Sequence, residues 1–148
     1  MKTQDIKNKT SEPWLNADTM HKGSVKWLSE LHFVKVEQLF FDDLVKSYTL
    51  QLIDSKHLEE SKSIVEQLRT SQKETATLLD VIQNHEKGLK IMVDAVHSEQ
   101  EEEAYRDEHY KLISQVSEFM DHYKALKTQL FDIIKNILKE GKQKRLLP

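Results

Sequence analysis

Residues 99–140 read EQEEEAYRDEHYKLISQVSEFMDHYKALKTQLFDIIKNILKE. Within this stretch a seam runs through Tyr105, His109, Leu112, Val116, Phe119, Tyr123, Leu126, Leu130, Ile133 and Ile137, in alternating steps of four and three residues. A strand would repeat every second residue, whereas a mean step of about 3.5 draws one stripe along a helix. Ser98 with Glu101 matches a capping box, and the acidic run Glu99–Glu103 suits the positive start of a helix. The pattern predicts a helix from about Glu99 to Glu140. Gly141 ends it, and a basic tail carrying Lys142, Lys144 and Arg145 follows.

The same step extends backwards along the chain. Ser61, Ile64, Leu68, Ser71, Thr75, Leu78, Ile82, His85, Leu89, Met92 and Val96 form the seam of a helix expected over about 56–96. Trp27, Leu31, Val34, Gln38, Phe41, Val45, Tyr48 and Leu52 form that of a helix expected over about 24–53, with Asp54-Ser55 as turn and N-cap. Between Ser24 and Glu140 the chain has one glycine, Gly88, and no proline. Sheet architectures and phosphate-cradling loops use these residues at their turns, so both are excluded. The expected fold is all-α: an elongated, coiled-coil-like antiparallel bundle of three long helices. A short fourth helix is expected over 11–22, capped by Ser11, admitting Pro13 in its first turn and interrupted by Gly23. The domain reading is a disordered 1–10, one bundle domain over 11–141 and a basic tail over 142–148.

Folding the three seams together gives the layers Trp27/Ile82/Leu112, Leu31/Leu78/Val116, Val34/Thr75/Phe119, Gln38/Ser71/Tyr123, Phe41/Leu68/Leu126, Val45/Ile64/Leu130 and Tyr48/Ser61/Ile133. Small residues of the middle helix meet aromatic ones elsewhere, as a filled core requires. Gln38/Ser71/Tyr123 is a polar layer that fixes register through hydrogen bonds. A second polar layer sets His85 beside His109, with Ser24 at its edge. Gly88, about one turn past His85, is expected to permit a kink or a close approach by the N-terminal segment.

Composition limits the chemistry. The chain has 22 basic and 25 acidic residues, a net charge of -3, which lacks the basic excess of a nucleic-acid binder. It has no cysteine, which removes disulfides, thiolate metal sites and cysteine nucleophiles. No apolar run approaches the length of a membrane span, and residues 1–7 have no apolar signal core. The expected location is cytoplasmic. No cofactor is expected, and no Walker loop, GxSxG or HExxH motif occurs.

Two sets of residues stand out as site candidates. His21, His85 and His109 would converge near one bundle end, with Glu86 and Glu108 one step off the seam, and form a candidate metal site. The Glu-x-x-His pattern of dinuclear bundles is missing, because Arg106 and Ile82 stand three residues before His109 and His85. The second set lies at the 86–108 tip, which outreaches the first helix. Leu89, Met92, Val93, Val96 and Tyr105 are expected as an apolar strip there. Trp14, Leu15 and Met20 of the N-terminal segment either cover it or leave it open to a homodimer or protein partner. Leu39, Phe40, Leu50, Ile53, Leu79 and Ile134 widen the apolar faces beyond one stripe, which favours burial by a further helix or second subunit.

The phrase Trp27-Leu-Ser-Glu-Leu-His-Phe-Val-Lys-Val-Glu-Gln-Leu-Phe resembles the first helix of small long-helix bundle proteins of Bacteroidetes-type bacteria. Their later helices are similar to His109-Tyr-Lys-Leu-Ile-x-x-Val and Tyr123-Lys-x-Leu-Lys-x-x-Leu-Phe here. The resemblance covers about 24–140. It implies a helical bundle and no activity, since none is assigned to the family. The expected function is a non-enzymatic structural or protein-interaction module, the alternative being a metal- or small-ligand-binding bundle with a histidine site near the 85–109 end.

Overall fold

The computed structural model describes residues 15–54 and 56–146. The expected disordered 1–10, Ser11, Pro13, Trp14 and the Ser55 cap lie outside the described residues. The chain is all-α, and no strand occurs among the described residues. Helix α1 spans Ala17–Ser47, α2 Thr49–Asp54, α3 Leu58–Asp94 and α4 Glu99–Leu146. The three long helices are those the seams predict. No helix is long and apolar enough to cross a membrane among the described residues.

Three boundaries differ from expectation. Gly23 does not interrupt: it lies inside α1, so the chain has no separate helix ending at residue 22. A helical glycine costs about 1 kcal/mol, which the packing of a whole turn outweighs. The start of α1 is set instead by Asn16, whose Oδ1 accepts the Thr19 N–H at 2.9 Å. Gly141 likewise lies within α4, which continues to Leu146. The third difference is a break at Tyr48. There the Ser47 hydroxyl donates to the Asp43 carbonyl, and the Thr49 hydroxyl donates to the Val45 and Lys46 carbonyls. Such local bonds compete with the helix ladder, and the short α2 is the fourth helix. At the other turn the capping reading holds: Ser98 Oγ accepts the Glu101 N–H at 3.1 Å.

The chain divides into two compact units, Met1–His32 with Thr77–Ser117, and Phe33–Ala76 with Glu118–Pro148. In the first unit α3 and α4 run antiparallel, His85 meeting His109 and Gly88 meeting Tyr105. Its core joins Leu31, Ile82, Leu112 and Val116 to a cluster of Leu15, Ala17, Met20, Leu89 and Met92. Leu79 is buried in place of the expected Leu78. In the second unit Val34, Phe41, Ile64, Leu68, Phe119, Tyr123, Leu126, Leu130, Ile133 and Ile137 are all buried. Gln38 Nε2 donates to both Ser71 Oγ and Thr75 Oγ1 at 3.0 Å, which fixes the expected register of α1 on α3. Tyr123 is buried, but its hydroxyl donates to Glu37 Oε1 at 3.0 Å rather than joining Gln38 and Ser71. Glu37 also accepts from Lys127.

Candidate functional site

The polar layer of the first unit is built from His85 on α3 and the adjacent Glu108 and His109 on α4. His85, on the α3 seam, is fully enclosed, and His109 faces it from α4. His85 Nε2 lies 3.0 Å from His109 Nδ1, and His85 Nδ1 lies 2.5 Å from Glu108 Oε1. A carboxylate oxygen is an acceptor, so Glu108 Oε1 takes the His85 Nδ1–H. In the neutral imidazole the other nitrogen, Nε2, then carries a lone pair and accepts the His109 Nδ1–H. A chain of donors therefore runs from His109 through His85 to a half-exposed carboxylate.

The rings are held from both sides. Trp27 stacks on His109 with centroids 4.6 Å apart, and Tyr105 is tilted against His85 at 5.7 Å. Gly23 packs beside His109, where a β-carbon would stand 3.6 Å from Nε2. At Gly88 a β-carbon would stand 2.7 Å from Tyr105 Cζ, inside the contact distance. Gly88 thus does admit a close approach, and the group that makes it is Tyr105.

Burial lowers the pKa of His85, opposed by the nearby Glu108 charge and hydrogen bond. His109 is pushed down to about 4, by burial first and by the neighbouring His85 second. The layer is therefore neutral imidazole at ordinary pH, facing one carboxylate.

Of the three candidate metal ligands the layer unites two. His21 lies apart from that bond, with Nε2 3.2 Å from Glu86 Oε1. No group of three or more His, Cys, Asp or Glu side chains is arranged to hold a metal ion among the described residues. Both His85 nitrogens and Nδ1 of His109 are engaged in hydrogen bonds, which leaves the pair poorly disposed to chelate.

Of the two alternatives for the candidate interaction strip, the structure has the covered one, with Leu15 and Met20 packed on Leu89 and Met92. Met20, Leu89 and Met92 are buried together, with Tyr105 packed against them. They are interior because α1 begins early enough to cover the tip. Glu102 Oε1 accepts the Ala17 N–H at 2.8 Å, and Arg106 Nε donates to the Leu15 carbonyl at 3.2 Å. These two α4 residues, four apart and on one face, clamp the first turn of α1. His97 reaches the same carboxylate through Nε2, 3.4 Å from Glu102 Oε2. Hydrogen bonds to backbone carbonyls, that of Ala95 first, raise the pKa of His97. Val93 and Val96 of the strip are exposed, and Trp14 lies outside the described residues.

A further exposed apolar surface lies on α1. On α1 in the second unit Phe33, Val36, Leu39 and Phe40 are each more than half exposed. Val34, Gln38 and Phe41 occupy the buried side of the same turns. At 100° per residue the two sets point in opposite directions, so this part of α1 is apolar on both faces. Leu39 and Phe40 are among the off-seam residues noted in the sequence, and Leu79 and Ile134 of that group are buried. Phe33 and Val36 escape a seam-based reading because they match no second helix of the chain. The signal available was the spacing Phe33, Val36, Phe40, itself a three-four step.

No family model, no curated protein and no solved structure matches this chain.

Proposed function

We propose that this chain is a non-enzymatic, cytoplasmic protein-interaction module that docks through the outer face of α1 in its second unit. The observation that carries this reading is the second apolar face at Phe33, Val36, Leu39 and Phe40. A helix apolar on both sides is ordinarily covered on both sides. Four such half-exposed side chains offer roughly 400 Å² of apolar surface, in the range of patches that mark interaction sites. At ~25 cal/mol per Å² its burial is worth about 10 kcal/mol. That is comparable with the association cost of about 4–15 kcal/mol, so a polar rim would decide the affinity. Against the metal- or small-ligand alternative stands the engagement of His85 and His109 with each other and with Glu108.

A photo-crosslinking residue placed at Val36 in living cells tests the reading, with Glu74 on α3 as the exposed control. The expected result is a protein adduct from position 36 that Phe40→Glu abolishes, and none from position 74. Absence of any adduct from position 36 would overturn the reading.

A further inference from the structure

We infer that the partner on this face is a second copy of the same chain, docked antiparallel across a two-fold axis beside Val36. The inference rests on the reading of the α1 face given above. The strip is self-complementary. Phe33 stands three residues before Val36 and Phe40 four residues after it, so it runs aromatic, valine, aromatic in either direction. Phe33 and Phe40 are seven residues apart, about two turns, and so lie on one side of the strip. An antiparallel copy whose axis passes between residues 36 and 37 sets Phe33 beside Phe40 of the second copy, twice. Val36, half a step from the axis, then packs beside Val36 of the second copy, about 1.5 Å apart along the helix direction, which is the isologous contact that a two-fold dimer requires.

Charge is consistent with this arrangement. A residue near a two-fold axis meets its own image, so a charge there repels itself. Of the two charged residues of this segment, Glu37 is bonded to Tyr123 and Lys127 of its own chain, and Lys35 stands at the edge of the strip, bordering a groove with Leu39, Gln72 and Ala76. The area is also sufficient. Two strips together bring roughly 800 Å² of apolar side-chain surface into an interface whose standard total is about 1,600 Å². A polar rim of about equal area would complete it.

The full chain has no cysteine, so a single introduced thiol reports the axis without background. Val36→Cys is expected to form a disulfide-linked dimer on mild oxidation, whereas Leu50→Cys, 75% exposed but far along the chain from the axis, is not. The wild-type chain is expected to sediment at twice its mass of 17.4 kDa. Val36→Glu is expected to weaken association at least about 100-fold with helical content unchanged. A wild-type chain that sediments as a single copy would overturn the inference. So would a dimer that Val36→Glu leaves intact and that Val36→Cys does not cross-link. If the wild-type chain is a single copy, an in-cell adduct from position 36 to a different protein preserves the docking reading, and no adduct removes both.

Discussion

Tyr105 occupies the space that a β-carbon on Gly88 would need, 2.7 Å from its Cζ and 2.8 Å from its Cε1. The missing side chain on α3 therefore seats an aromatic ring of α4, which in turn leans on His85. Gly141 presents the opposite case, with nothing within 4 Å of its would-be β-carbon. Gly88→Ala is expected to lower stability by about 1–2 kcal/mol, the overlap outweighing a gain of about 1 kcal/mol in helix propensity. Gly141→Ala is expected to raise stability by up to about 1 kcal/mol. Urea denaturation of both variants checks the contrast, and Tyr105→Leu in the Gly88→Ala background should recover most of the loss.

The histidine layer makes stability depend on pH. His109 has a folded pKa of about 4 against an ordinary value of 6.5. Above 6.5 both folded and unfolded chains hold it neutral, and the layer's contribution is complete. Between 6.5 and 4 the unfolded chain binds a proton that the folded chain refuses, so stability falls as pH falls. The loss by pH 4 is on the order of 3 kcal/mol. His85 shifts in the same direction and adds to it. The raised pKa of half-buried His97 acts oppositely, its contribution being present at low pH and lost as pH rises past its folded value. Denaturation midpoints at pH 7.0 and about pH 4.5 should differ clearly in the wild type and less in His109→Leu.

Ser61 carries the reverse lesson about buried polar groups. Its hydroxyl is buried in the α3 seam without a hydrogen-bond partner. Removing a lone polar atom from such a site relieves a desolvation penalty of about 1–3 kcal/mol. Ser61→Ala is expected to raise the thermal midpoint, whereas Gln38→Ala, which leaves Ser71 without this donor, is expected to lower it. Calorimetry on the two variants distinguishes these signs.

The start of α1 depends on two side chains from α4. Glu102 holds the Ala17 N–H and Arg106 holds the Leu15 carbonyl. Glu102→Ala or Arg106→Ala is expected to cost about 1–3 kcal/mol, because each frees a backbone group from a charged partner. Amide exchange should quicken at residues 17–20, while protection around Leu126 and Leu130 is retained.

Several of these relationships were legible before any coordinates. The seams of α3 and α4, the Gln38–Ser71 pair, the His85–His109 pair and the Ser98 cap all follow from spacing. A helix converts sequence distance directly into angular position, and a short turn converts it into pairing. The histidine layer was thus found as a pair, but its proton order was not. That order depends on Glu108, a residue off the seam whose direction only packing sets. The early start of α1 was missed for a similar reason. Its stabilising groups, Glu102 and Arg106, are 85 and 91 residues away in sequence. Gly23 and Gly141 were read as stops because local propensity disfavours them, yet at Gly23 a penalty of about 1 kcal/mol is small beside the burial of the surrounding turn, with Met20 and Ser24 both fully buried.

By itself, the sequence determined an all-α chain of three long helices and which stripe of each enters the core, since a repeat of three and four residues has no other compact solution. Tertiary structure alone decided where the helices begin, which glycines are tolerated, and that Met20, Leu89 and Met92 are interior while Phe33, Val36 and Phe40 are exposed. Periodicity says that a residue belongs to an apolar face. Whether another segment is long enough, and clamped firmly enough, to cover that face is a property of the folded chain.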